Sequence, residues 1–218
     1  MLYRLTPRLS GRLLGVAVAV LLASTAQAVP EARFQGAFAQ FSQAQTGDSA
    51  AIDKAADAFS ALLRVEPDNP VLIAYAGAAT SMRATTTWLP WKKMSYAEDG
   101  MAMIDKALAL LAPAHNAVMQ NGRPGALEVR FVAATTFLAV PGFMNRGARG
   151  AKLLGEVLNN PLFAQAPLGF QGAVWLRAAA LAQAEKRPDD ARKYLNEVIN
   201  NKAPQADAAR AQLKALTS

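Results

Sequence analysis

The sequence predicts an all-α fold of antiparallel helix pairs stacked as a short curved repeat array, and three observations predict it. From Glu31 onward apolar residues recur at helical spacing in one segment after another. Clusters of Pro, Gly and Asn separate the segments, and strand-like alternation is scarce. The composition fits a packed core, with 52% hydrophobic against 18% charged residues in a chain of 218. The absence of cysteine and the single histidine, His115, exclude a disulfide scaffold and any metal site needing cysteine or several histidines.

The chain opens on an export signal, expected over residues 1–28. Arg4, Arg8 and Arg12 precede the apolar run Leu13 to Leu22, and Ala26, Gln27 and Ala28 supply the small-residue cleavage site. The run is too short for a bilayer span, which needs roughly 20 apolar residues. The leader holds three arginines and no acid, so its removal lowers the formal charge from +7 to +4. The expected destination is the periplasm, with residues 29–218 as one helical repeat domain.

The first helix carries Phe34, Phe38 and Phe41 along one face and stops at the turn Thr46, Gly47, Asp48, Ser49. The second carries Ile52, Ala55, Phe59 and Leu62 toward the core and leaves Asp53, Lys54 and Asp57 for water. Pro67, Asp68, Asn69 and Pro70 close it and open the next, because proline suits a first helical turn. The third is expected from Val71 to about Thr86, with Ala74, Gly77 and Ala78 small enough for close helix approach. Later stripes are Met101, Ile104, Leu108 and Leu111; Leu127, Phe131, Ala134 and Leu138; Leu153, Val157 and Leu158; Val174, Ala178 and Leu181; Ala191, Leu195 and Val198. Leu213 and Leu216 carry the pattern to the C-terminus. Irregular insertions are expected near 85–96 and 141–150.

Ala55, Phe59, Leu62 and Pro67 in one helix, and Trp175, Ala179, Ala182, Ala191, Leu195 and Val198 in a later pair, give the chain its likeness to known repeats. In these positions it resembles the tetratricopeptide class, whose helix pairs occupy about 34 residues. Ala55 and Ala191 lie 136 residues apart, four such periods, although the chain between keeps no clean phase. The resemblance implies a degenerate array over roughly Glu31 to Leu216, with a concave face suited to a peptide or another protein.

The least repeat-like stretch runs from Thr85 to Tyr96. Trp88 and Trp91 at a groove mouth would anchor an apolar partner while Lys92 or Lys93 attracts an anion; the plainer alternative packs the rings against the helices. Asn121 to Gly125 and Pro141 to Gly150 read as turns, with Gly142, Gly147 and Gly150 for conformational freedom, Phe143 folded inward, and Arg146 or Arg149 hydrated or paired. Convergence of Arg83, Lys92, Arg130 and Arg146 on one concavity would favour an anionic segment. His115, at a helix end, is placed to cap carbonyls or to respond to pH.

The expected function is noncatalytic protein or peptide binding, as an adaptor in an envelope assembly, with Trp88, Trp91, Lys92, Lys93, Arg130 and Arg146 as the partner-binding residues. An envelope protein or peptide, a membrane-protein partner or a second copy of the chain are the expected partners. The contrasting reading is a wall-active glycan hydrolase or lyase using Glu128 with Asp99 or Asp105, although Glu128 is more simply a surface or salt-bridge residue. No phosphate loop or dinucleotide fingerprint is present, so no cofactor is expected. A charge of +4 without a recognition module gives no nucleic-acid partner.

Overall fold

The structure, a computed structural model, describes residues 28–216. The expected leader lies, apart from Ala28, outside the described residues. Among the described residues nine α-helices follow one another: α1 (Glu31–Ala44), α2 (Ser49–Leu63), α3 (Pro70–Met82), α4 (Pro90–Ala109), α5 (Gly125–Phe137), α6 (Gly147–Leu158), α7 (Leu168–Ala184), α8 (Pro188–Asn200) and α9 (Ala206–Ala215). Among the described residues there is no strand, only one isolated antiparallel bridge between Val118 and Pro124.

Helices start where the sequence supplies a cap. The Asp48 carboxylate accepts from the amides of Ala50 and Ala51 at 2.9 and 3.1 Å and so starts α2. The Asn69 side chain accepts from Val71 and Leu72 at 3.0 and 3.3 Å, is held by Glu66 Oε2 at 2.7 Å, and precedes Pro70 at the first helical position of α3. Helix α3 ends at Met82, and a single 3-10 turn, Arg83–Thr85, takes the chain out of it.

Successive helices pack two by two, α1 on α2, α3 on α4, α5 on α6 and α7 on α8, with α9 on α8. The pairs join through α2 on α3, α1 on α3, α3 and α4 on α5, and α6 on α7. Helix α3 is the hub. Eleven of its thirteen residues are buried, because helices cover it on several sides. Phe34, Phe41 and Phe59 close around Tyr75, which stacks on Phe59 with centroids 5.0 Å apart and meets Phe41 edge-on at 5.0 Å. A second aromatic group, Phe163, Phe170 and Trp175, centres on α7.

Two expected insertions are corrected. The stretch 85–96 is largely helix: only residues 86–89 are irregular, and Pro90, which reads as a breaker, opens the long helix α4. Of 141–150, the 3-10 turn Gly142–Met144 and the left-handed Asn145 (φ 54°) are irregular, whereas Gly147 begins α6. Gly150 serves close packing rather than a bend. A Cβ there would stand 2.9 Å from Leu138 Cγ and 3.1 Å from the Ala134 carbonyl.

Candidate functional site

A cavity of about 850 Å³ opens between the first three helix pairs. Phe38 and Phe41 come from α1, Tyr75, Ala78 and Met82 from α3, Met94 and Ala97 from α4, and Phe131 and Val132 from α5. Val140, Phe143 and Met144, between α5 and α6, and Ala173 of α7 add to the apolar wall. None of the lining residues is Asp, Glu, His or Cys.

Most polar side chains of the wall are already engaged with the protein. The hydroxyls of Ser81, Thr85 and Thr136 donate to the carbonyls of Ala78, Met82 and Val132 at 3.0, 2.8 and 2.9 Å. Tyr75 donates to Glu128 Oε1 at 2.6 Å. Arg123 and Thr135 differ, since Nε of the first and Oγ1 of the second are buried and have no hydrogen-bond partner in the chain.

Arg123 is placed by an unusual turn. Asn121 and Gly122 both take left-handed backbone, with φ of 59° and 64°, and Pro124 follows. The guanidinium then lies between two rings, 5.4 Å from the Phe38 centroid and 5.1 Å from that of Phe170. Its Nη1 meets Glu128 Oε1 at 3.0 Å. Asn121 Nδ2 donates to the same oxygen at 3.0 Å, so one carboxylate oxygen gathers three donors while Oε2 is buried without a partner.

Glu128 is therefore corrected from a surface residue to a fully buried one at 0% exposure, while its salt bridge stands. Burial is the largest influence on its carboxyl and lifts it above the ordinary glutamate range, against the lowering pull of Arg123 and of the hydrogen bonds from Tyr75, Asn121 and Arg123. Burial also raises the Tyr75 phenol well above its ordinary value, with the Glu128 charge adding to the rise. It stays a neutral donor. Neither acid named beside Glu128 shares its surroundings: Asp99 accepts from Ser95, and Asp105 pairs with Arg146 and Arg149.

The expected partner-binding residues separate into two groups. Trp88 and Trp91 stand out in solvent, 83% and 67% exposed. Lys92 and Lys93 are exposed beside them, and Lys93 also lines the cavity. The arginines lie elsewhere and are engaged. Arg130 borders a smaller cavity of about 270 Å³, pairs with Glu156 at 3.3 Å and donates to the Ala126 carbonyl. Arg146 pairs with Asp105 at 3.1 Å over the Phe137 ring. Arg83 bridges Asp53 and Asp57 at 2.8 and 2.7 Å. The convergence of Arg83, Lys92, Arg130 and Arg146 is thus corrected: none of the four lines the large cavity.

Two further expectations change. Phe143 is 67% exposed at the cavity rim, not folded inward. His115 caps an amide rather than a carbonyl, its Nδ1 accepting from the Ala112 N–H at 2.9 Å. Sequence reasoning missed Arg123 and the cavity, and the one signal was the Asn-Gly-Arg-Pro run of residues 121–124, which reads equally well as an ordinary turn.

No helix among the described residues is long and apolar enough to cross a membrane. Comparison with known protein families, with characterised proteins and with solved structures gives no match to this chain.

Proposed function

We propose that this protein is a noncatalytic binding protein of the cell envelope that holds a single aliphatic chain, that of a fatty acid or of a lipid, in the cavity between its first three helix pairs. The observation that carries the reading is the wall: about 850 Å³ of mainly apolar surface, in which the Ser81, Thr85 and Thr136 hydroxyls are bonded to nearby carbonyls and Tyr75 to Glu128, leaving Thr135 Oγ1 and Arg123 Nε as buried polar atoms without a partner. That volume is within the roughly 300–1,000 Å³ of small-molecule sites. An extended peptide would bring backbone donors and acceptors into a space with few partners for them, at a cost an acyl chain does not incur. Binding is favoured over chemistry because the wall supplies no carboxylate, imidazole or thiol to act as base or nucleophile.

The scaffold is read as a degenerate tetratricopeptide-like array. Four helix pairs with α9 at the end, and contacts of α3 with both α1 and α5 across pairs, support it. The pairs begin at residues 31, 70, 125 and 168, wider than the ~34-residue repeat. Export with cleavage after Ala28 fits the folded domain's edge. The Val29 side chain is buried and its amide donates to Glu66 Oε1, so cleavage would set an ammonium group against that carboxylate.

Titration with cis-parinaric acid, a fluorescent fatty acid, tests the reading. The wild type is expected to bind it saturably, and Ala139→Trp, placed on an exposed part of the lining, to weaken binding by about tenfold or more. Absence of saturable binding to the wild type would overturn it.

A further inference from the structure

We propose that the mouth of the cavity is a docking surface for an anionic lipid bilayer, with Trp88, Trp91 and Phe143 entering the interface and Lys92 and Lys93 meeting the headgroups. The proposal rests on the acyl-chain reading only for what then passes through the mouth. Exposure is the first observation. Two tryptophans and a phenylalanine, each two-thirds or more exposed, stand at the N-terminal end of α4 and in the turn before α6. Isolated exposed apolar residues need no explanation, but here Phe143 lines the cavity and Trp88 and Trp91 flank Pro90, which lines it as well. Tryptophan in particular suits the depth where acyl chains give way to headgroups, since its ring is apolar and its N–H polar.

Charge is the second observation. No acid occurs from Ala84 to Ala97, the stretch that carries both tryptophans and both lysines. Neither lysine has an ion-pair partner among the described residues. The opposite stretch, from Leu138 to Gly150, contains no acid either, and the Asp105 carboxylate beside it is taken up by Arg146 and Arg149. An anionic leaflet attracts each such lysine, within a Debye length of the surface.

Continuity is the third. Lys93 and Phe143 belong at once to the exposed rim and to the cavity lining. A bilayer seated on the rim would therefore open straight onto the cavity, without an intervening polar barrier for a chain to cross. A protein partner would satisfy the exposed rings, but it would not account for their position at the opening of an apolar cavity.

The test is sedimentation of the chain from Val29 onward with vesicles of phosphatidylcholine alone and with vesicles of equal parts phosphatidylcholine and phosphatidylglycerol. The wild type is expected to sediment with the second and not the first, and less so as salt rises. Trp88→Ala with Trp91→Ala is expected to weaken sedimentation by about tenfold, and Lys92→Glu by several-fold. These positions are exposed, and circular dichroism of each variant verifies that it folds. Titration of the same proteins with cis-parinaric acid in solution separates the two readings, because none of the three residues lines the cavity. Wild-type protein that binds the fatty acid but ignores anionic vesicles, or vesicle binding indifferent to both variants, overturns the docking and points to a protein partner at the rim. Vesicle binding without fatty-acid binding leaves the docking standing and overturns the cavity reading.

Discussion

Glu128 joins α5 to α3 through one oxygen, and its removal would strand three donors at once. Glu128→Ala leaves the Arg123 guanidinium, the Tyr75 hydroxyl and the Asn121 amide without their shared acceptor. A loss of about 3–5 kcal/mol is expected, as for a broken buried pair, and chemical denaturation measures it. The pH dependence has a definite sign. Because burial holds the folded carboxyl above its ordinary value of 4.5, the folded state keeps a proton that the unfolded chain releases. Stability from this group is complete below that value and falls as pH rises through the raised one. Glu128→Gln, which cannot titrate, is therefore expected to cost most at the acid end and progressively less above it, in denaturation curves taken across the range. None of this was legible in the sequence. A lone Glu beside Arg130 on an amphipathic stripe looks solvated, and only the left-handed turn at Asn121 and Gly122 brings Arg123 back to cover it. Trp88 and Trp91 stand out in the sequence, but their exposure depends on where α4 begins, which the three threonines and Pro90 obscure.

The elements themselves were more legible, because caps and apolar spacing are local. Asp48, Asn69 and Pro70 mark their helix starts, and the apolar stripes from Phe34 to Val198 fall on helices with their leading residues buried, whereas Leu213 and Leu216 at the C-terminal end are only half-buried. Pro90 misled for a physical reason: proline lacks the amide that a helix interior needs, yet loses nothing at the first position. The crossing of α3 and α4 is set by Gly77 and Gly100, which face each other. A Cβ on Gly77 would stand 2.6 Å from the Gly100 carbonyl oxygen, and one on Gly100 would stand 2.6 Å from the Ser81 amide nitrogen. Gly77→Ala is expected to destabilise by about 1–3 kcal/mol despite the better helix former, since backbone must move. Gly36→Ala is the control with opposite sign. That position in α1 is exposed with nothing near its Cβ, so a gain of about 0.5–1 kcal/mol is expected; thermal denaturation of both variants checks the pair.

At the scale of the whole molecule, stability is expected to be graded from the hub outward. Helix α3 touches α1, α2, α4 and α5, whereas α9 leans chiefly on α8 and buries only Ala209. Native-state hydrogen exchange should find α3 amides opening only with global unfolding and α9 amides exchanging through local opening; equal protection would contradict this. The sequence made the number and order of the helices readable, but not the cavity, which forms where three pairs meet and depends on contacts far apart in the chain. The burial of α3 has a further consequence during synthesis. Its covering helices lie on both sides of it in sequence, and α5, the last of them, starts at Gly125, more than forty residues after α3 ends. A nascent chain that emerges N-terminus first therefore carries α3, covered by α1, α2 and then α4, with the face that meets α5 still open until α5 follows. Over that interval the polypeptide is a natural client for a holding chaperone, and a chain truncated before α5 would be prone to aggregation rather than a smaller working domain.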